Sequence, residues 1–600
     1  MRIREEVSPI LEITEITNRV SKSPSGKKAL LFERVKGSSM PVLTNAFGSE
    51  KRICMALGVD QPDEIGARLK KIVSIVPPER LSDKLGLLKE ILGWTRFLPR
   101  RTNRSSPPCQ EVVLTGDEVD LSRLPILQCW PKDAGRFVTL PLVFTKGLKG
   151  QHNVGMYRLQ VFDRNTMGMH WHIHKDGAGL FREYMDAGKR MEVAVAIGTD
   201  PVVTYAATAP LPGGINEMLL AGFIRQSPVI LVKALTVDIE VPAEAEIVVE
   251  GYVDPGELRM EGPFGDHTGF YSLADLYPVF HVTAITHRKN AVYSATVVGR
   301  PPMEDCYLAK ATERIFLPLL QTMVPEIDDY MLPWEGAFHN LVLVSIDKSY
   351  PGQAMKIIHG LWGLGQMSFA KAILVLDRPV DFSRGRELVE RILDTIDLKR
   401  DLLISRGVLD VLDHAAPDPL FGGKVGVDLT RSIDDNTSRR APDETQIVQE
   451  GNLKTRLREA EGAFLDCRVL FSEARHPLIL VSVAESHGDD GLVKLLLTAY
   501  FLPTHAIIVL FDSYADMDDG GELLWRACAN VDPVRDFSLS GNRLVIDGRA
   551  KMGMGGVRQW PEEIRMTMEI RDRITARAEL LGIADTFVPS RSHYEVDNQP

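Results

Sequence analysis

The chain has 600 residues, which corresponds to roughly three to six domains of about 100–200 residues each. Its composition, 44% hydrophobic and 25% charged with 48 Gly and 36 Pro, excludes collagen, coiled coil and wholesale disorder. A net charge of −11 argues against a general polyanion binder, no apolar run is long enough to span a membrane, and MRIREEVSPILEITEI is too acidic for a secretory signal.

In chain order, PDEIGARLKKIVSIV, opened by Pro62 and Asp63, predicts an amphipathic helix, and PERLSDKLGLLKEILGW predicts a second. The stretch Arg100–Pro108 reads as a linker and closes a first domain, 1–110. From residue 111 the runs EVVLTG, VTLPLVFTKG, YRLQVFD, EVAVAIG, VILVKALTVDIEVP, AEIVVEGYV, VFHVTAITHRK and AVYSATVVG predict a barrel- or sandwich-like β domain, 111–302. One helix, Asn216–Arg225, interrupts it. Beyond Pro302 a helix leads into alternating strands and helices that repeat. HNLVLVSI from His339 matches HPLILVSV from His476, AILVLD from Ala372 matches AIIVLFD from Ala506, and the helix from Glu387 matches that from Glu522. The offsets are 137, 134 and 135 residues, and Lys424 in FGGKVGVD finds a counterpart in Lys551 at 127. The chain therefore reads as mixed α/β (α+β), with two duplicated α/β domains at 303–432 and 433–600, the second preceded by the polar linker DDNTSRRAPDETQ.

Six cysteines, Cys54, Cys109, Cys129, Cys306, Cys467 and Cys528, show no CxxC spacing. That argues against zinc ribbons, iron–sulfur sites and a disulfide framework, and a reducing cytoplasmic compartment is expected. Three segments could carry chemistry. In MHWHIHKD, His170, His172 and His174 recur at every second residue, so on a strand they would share a face and could meet a metal or phosphate. In NVGMYRLQVF, Arg158 needs a carboxylate or anion partner if buried. In MEGPFGDHTG, a Gly/Pro-rich turn brings Glu261 and Asp266 close enough for one acid to alter the other's protonation. Each also has a structural reading: solvent-facing imidazoles, an ordinary ion pair, a capped turn. P-loop, HExxH and strand-flanked GxSxG signatures are absent.

Together these blocks resemble the UbiD family of reversible non-oxidative decarboxylases. The resemblance is carried by NVGMYR, MGMHWHIHKDGA, PLPGGINEMLLAGFIR, EGPFGDHTG, RPPMEDCYLAKATERIFLPLLQ and FGGKVGVDLT, over roughly Glu111 to Thr430. It implies a β-rich split-barrel domain that binds prenylated FMN through a divalent metal, Mn²⁺ or Mg²⁺, often with K⁺ beside it. The metal ligands map onto Asn153, Glu217 and His170, the last being the least firmly matched because some members have arginine there. The catalytic trio maps onto Arg158, Glu261 and Asp266. Asp266 is then the general acid, Arg158 orients the substrate carboxylate, Glu261 anchors Arg158, and the flavin is the electron sink as CO₂ leaves. Met156, Tyr157, Trp171, His172 and Lys175 fall in blocks that line the flavin, and Lys371 is placed to reach its phosphate.

The substrate class this implies is an aromatic or polycyclic (hydroxy)carboxylic acid. The long chain is similar to the menaquinone branch, which acts on a dihydroxynaphthoate; a 4-hydroxybenzoate or other phenolic acid is the alternative. A flavin prenyltransferase is the expected cofactor supplier, and a homodimer or larger homo-oligomer the expected assembly. A prenylated substrate would add peripheral membrane contact. A different class, a flavin-independent metal-dependent oxygenase or hydrolase using the His cluster, leaves EGPFGDHTG unexplained.

Overall fold

The computed structural model describes residues 1–23, 28–73, 93–102, 104–172, 175–211, 213–430, 449–484, 490–552 and 558–589. They form two units, Met1–Ile315 together with the stretch from Glu562, and Phe316–Pro561. The helix expected over PERLSDKLGLLKEILGW and the linker DDNTSRRAPDETQ lie essentially outside the described residues.

The first unit is built on a nine-stranded sheet whose neighbours all run antiparallel. Two long strands, Ile247–Glu261 and Asp275–His287, form its middle and pair from Ile247 opposite His287 to Glu261 opposite Asp275. The register shifts after Glu250 and again between Val253 and Leu258, bulges that re-aim the far end of the hairpin. Gly251 sits at the first shift, where a Cβ would stand 1.9 Å from the His281 carbonyl oxygen, so only glycine lets the strands approach. The β-branched run IVV at its start is fully buried, as a strand covered on both faces requires.

A second sheet of four strands joins Arg2–Val7, Leu30–Val35 and Val42–Thr44 to Tyr293–Ser294. Its last strand comes from the far end of the expected β domain. One apolar core runs from Ile3, Ile13 and Phe32 through Trp130, Val195 and Phe280 to Ile564 and Ile574. The expected boundary at residue 110 therefore does not separate two cores. The stretch read as a linker also takes part: Arg100–Arg101 lies parallel to Ile230–Leu231, with Arg100 N–H donating to the Val229 carbonyl at 2.9 Å. The expected last domain, 433–600, is corrected as well, because residues from Glu562 onward belong to the first unit. There the helix Met568–Ala576 buries Ile570 and Ile574, and Arg571 offers its carbonyl to Arg19 at 2.8 Å.

The second unit holds the duplication. Its two five-stranded sheets have the same strand order: Ile327–Met331, Leu341–Ile346, Ala372–Asp377, Phe421–Leu429, Leu402–Val408 in one, and Phe464–Leu470, Leu478–Val483, His505–Asp512, Asn542–Asp547, Phe537–Ser540 in the other. The turn after each helix is tied alike: Asp397 N–H donates to Asp401 at 2.8 Å and Asp532 N–H to Asp536 at 2.7 Å. Arg400 and Arg535 then hold those same carboxylates at 2.8 and 2.7 Å.

The strand pairing corrects two of the matched positions. Leu341 faces Ala372, which faces Val425; Leu478 faces Ile507, which faces Leu544. Ala372 thus corresponds to Ile507, and Lys424 corresponds to Arg543, not to Lys551. The chemistry agrees, since Lys424 caps the Ser368 and Ala370 carbonyls while Arg543 caps those of Leu502 and Pro503.

Candidate active site

The strand His152–Met156 stops short of Tyr157, and pairing resumes only at Leu159–Val161. From that gap Arg158 reaches the turn that follows the strand Ile247–Glu261. Its Nε and Nη2 donate to the two oxygens of Glu261 at 2.8 and 3.1 Å. Nη1 donates to Asp266 Oδ2 at 2.5 Å, and Nη2 also to Ser272 Oγ at 2.9 Å. The Phe264 ring lies 4.7 Å from the guanidinium carbon. All three charged side chains are buried, and Glu261 is fully so. A bidentate, hydrogen-bonded pair is what makes burial of such charges tolerable.

The turn itself is shaped from below. Gly262 has φ +88°, the left-handed region glycine favours, and its N–H donates to Gln160 Oε1 at 2.8 Å. Gly265 N–H donates to Asp133 Oδ1 at 2.8 Å, while Asp133 Oδ2 accepts from Cys129 and Trp130 N–H at 3.0 and 2.8 Å. Burial pushes the Asp133 carboxyl up to about 7, against those backbone donors. Neither Asp133 nor Gln160 stood out in the sequence, because their role is to hold backbone amides about a hundred residues away.

Electrostatically the two acids are alike. Burial raises both, but for Glu261 the His170 hydrogen bond and the Arg158 charge outweigh it and bring the carboxyl to about 2. For Asp266 the His267 hydrogen bonds and Arg158 outweigh burial and hold it well below the usual carboxylate range. His170 donates its Nδ1–H to the ionised Glu261 across 3.0 Å, the tautomer that leaves Nε2 as an acceptor. Its ring lies 4.2 Å from that of Tyr277, and burial, then Arg158, lowers its pKa.

A depressed carboxyl supplies stability above its unfolded pKa and loses it as pH falls through the folded one. For Glu261 that window runs from about 4.5 down to about 2. Glu261→Gln should lower the melting temperature at neutral pH and flatten its fall across this window. A melting-temperature series against pH checks both, and an unchanged acid limb counts against the ion pair.

The remaining expected residues lie nearby in the fold. Asn153 is 7% exposed on His152–Met156, and Met156 ends that strand partly exposed. Glu217 opens the helix Glu217–Arg225, whose start is fixed by Asn216 accepting from Met218 N–H at 2.8 Å. Glu217 Oε2 accepts from Val154 N–H at 3.1 Å, which brings it beside Asn153, and burial pushes its carboxyl up to about 7. The Tyr157 hydroxyl meets the Asn153 side chain and the Gly177 backbone. Trp171 is buried, and among the described residues its Nε1–H has no hydrogen-bond partner. Lys175 is exposed ahead of the helix Asp176–Asp186.

Two expectations are corrected. The histidines do not share a strand: Thr166–Met169 ends before them, and His170 and His172 follow on irregular backbone with rings 4.8 Å apart, while His174 lies outside the described residues. Lys371 is spoken for within the second unit. Its ammonium sits 2.8 Å from Asp413 and donates to the Cys528 and Val531 carbonyls at 2.9 and 3.0 Å, so it is withdrawn as a phosphate contact.

Three family models match the chain: the 3-octaprenyl-4-hydroxybenzoate carboxy-lyase (UbiD) N-terminal domain at residues 1–69, its Rift-related domain at 100–301 and its C-terminal domain at 306–429. An uncharacterized protein of Archaeoglobus fulgidus is 50% identical over 459 residues, 76% of this chain and 93% of that protein. Among solved structures, an evolved dimeric form of the UbiD-class enzyme HmfF from Pelotomaculum thermopropionicum with prFMN is similar, with TM-score 0.60 and 27% identity over 75% of this chain and 96% of that one. The closed form of vanillic acid decarboxylase from Sedimentibacter hydroxybenzoicus is similar with TM-score 0.63 and 26% identity, over 76% and 95%.

Proposed function

Because the chain belongs to the UbiD family of carboxy-lyases, we propose that it removes CO₂ from an aromatic or polycyclic hydroxy acid, with Arg158, Glu261 and Asp266 as the reacting constellation. The observation that carries this reading is the buried Glu261–Arg158–Asp266 arrangement. Arg158 is preorganised by Glu261 and offers its Nη1 edge, now held by Asp266, to a substrate carboxylate. An arriving carboxylate competes with Asp266 for that edge. Asp266 then loses its nearest positive charge, its pKa climbs, and it becomes able to carry the proton that replaces CO₂ on the substrate carbon. The balance is one C–C bond broken, one C–H bond formed and one CO₂ released per proton taken up.

The residues around Asn153 fit a phosphate-bearing flavin with a divalent cation. Burial raises Glu217 toward neutrality, and among the described residues Trp171 holds an unused buried donor. Asn153, Glu217 and His170 Nε2 would ligate Mn²⁺ or Mg²⁺, with K⁺ beside them; oxygen donors plus one imidazole suit a hard cation. His170 donating its other nitrogen to a carboxylate is the arrangement that orients a ligating imidazole. Met156, Tyr157, Trp171, His172 and Lys175 would line the flavin. A bound prenylated flavin supplies the electron sink for the departing CO₂.

Within this class we favour a dihydroxynaphthoate, the substrate of menaquinone-type relatives, on the ground of chain length; the similarity to vanillic acid decarboxylase keeps a phenolic acid as the second reading. A homodimer supplied by a flavin prenyltransferase completes the proposal. The test is the protein coexpressed with a flavin prenyltransferase and given dihydroxynaphthoate, 4-hydroxybenzoate and vanillate, with CO₂ release and deuterium exchange at the leaving position as readouts. Turnover of any of them supports the class. Full flavin content with no CO₂ and no exchange from any of them overturns it.

A further inference from the structure

Asp266 sits on a small hairpin that follows the strand ending at Glu261. Phe264–Gly265 pairs with Tyr271–Ser272, and the connecting turn is closed by Gly269 N–H donating to the Asp266 carbonyl at 3.0 Å and Asp266 N–H to the Phe270 carbonyl at 3.1 Å. Two strands of two residues each are marginal in water on their own. An extended segment from nearly 300 residues away in sequence completes them through a single antiparallel bridge. Tyr271 N–H donates to the Glu562 carbonyl at 2.9 Å, Ile564 N–H donates to the Gly269 carbonyl at 2.9 Å, and Phe270 stands antiparallel to Glu563 between them.

This segment is firmly seated. Ile564 is 4% exposed, and its Cδ1 lies 3.2 Å from where a Cβ on Gly265 would stand, so it packs against the hairpin at the residue before Asp266. Glu562 pairs with Lys132, and Glu563 with Arg300 at 3.5 Å and Arg565 at 3.2 Å. Met566 is fully buried immediately beyond, and Thr567 then caps the helix Met568–Ala576 that enters the main core. None of the three matched family regions reaches this segment, since they end at residue 429.

We propose that residues 562–566 are a positioning segment for the active site: by bridging to the hairpin they hold the Asp266 turn against Arg158. The inference rests on Asp266 as the proton-carrying group. The segment touches neither substrate nor reacting atoms; it acts through the backbone on either side of the turn. Its effect should therefore fall on the proton-transfer step and leave substrate binding alone.

The test uses the flavin-loaded protein. In the wild type, hydrogen exchange of the Tyr271 amide should be slowed at least tenfold relative to an open loop. Ile564→Pro removes the N–H that bonds Gly269. It should raise exchange across 264–272 at least tenfold and lower kcat for dihydroxynaphthoate decarboxylation about tenfold, with KM and flavin content unchanged. Ile564→Val keeps the N–H and should stay within twofold of wild type in both. Rapid Tyr271 exchange in the wild type overturns the proposal without recourse to any variant. So does an Ile564→Pro protein that exchanges freely yet turns over normally, which would make the segment a mere tie. Failure of the underlying reading shows elsewhere, as full activity in Asp266→Asn with the exchange pattern intact.

Discussion

Asp266→Asn should lose about 10²–10⁴-fold in turnover while keeping its flavin, because it removes a positioned proton donor and preserves the shape of the side chain. The structure sharpens that expectation. Asp266 is held ionised by His267 and Arg158, so the resting protein presents a proton acceptor, and donation has to follow the arrival of a substrate carboxylate at Arg158. The amide cannot take up the proton at all, and its NH₂ would face the Arg158 donors. The loss should therefore appear in kcat, with substrate affinity changed much less. Steady-state kinetics of the loaded variant, with flavin absorbance as the loading control, decide it. A variant retaining more than half the wild-type rate removes Asp266 from the chemistry.

Glu217→Ala should strip the protein of its metal and most of its flavin. Burial holds the Glu217 carboxyl near 7 in the protein alone, so it is ionised at a cost that a divalent cation would remove. Val154 N–H donates to its Oε2 at 3.1 Å, and the carboxylate keeps lone pairs for a ligand. The sign can be read without catalysis. A carboxyl raised by burial makes the cation-free protein more stable as pH falls from about 7 toward 4.5, and cation binding should remove that slope. At a cation concentration of about 100 times Kd the gain is about 2.7 kcal/mol, a shift of several degrees in melting temperature. Elemental analysis and thermal shift with Mn²⁺ check it. Full flavin content in a metal-free Glu217→Ala protein would move the metal ligand elsewhere.

Much of this was legible in the residues, for reasons that also mark where reading stops. Glu261 and Asp266 lie five apart on a Gly/Pro turn, so their proximity is local chemistry. Arg158 joins them across 103 and 108 residues, which only family resemblance could suggest before the fold was seen. Asp133 reaches the site through the Gly265 amide 132 residues away, and its local bonds to Cys129 and Trp130 N–H give no hint of that link. The histidine run shows the opposite error. Its period of two is the strand signal, yet pairing ends with Met169 opposite Leu159, and Lys175 N–H closes a turn back onto the His172 carbonyl at 3.0 Å. The duplication was visible because buried strands repeat their apolar pattern. The lysine match failed because a shared Lys–Gly–Gly flavour is weaker than strand register, which pairs the segment KVGVD with RLVID.

The chain leaves the first unit at Ile315 and re-enters it at Glu562, so the order of synthesis differs from the order of packing. While a nascent chain grows, the nine-stranded sheet can form early, but Ile564, Ile570 and Ile574 are still missing from its core. At about 5–20 residues per second, the 247 residues from 315 to 562 take roughly 12–50 s to appear. For that interval the ribosome carries a chain whose nine-stranded sheet can form and whose Asp266 turn lacks its bridging segment. Competence for chemistry is thus conferred late, by nearly the last part of the described chain to emerge. A premature stop anywhere in the second unit would yield a polypeptide bearing every residue of the constellation and lacking the piece that completes its hairpin.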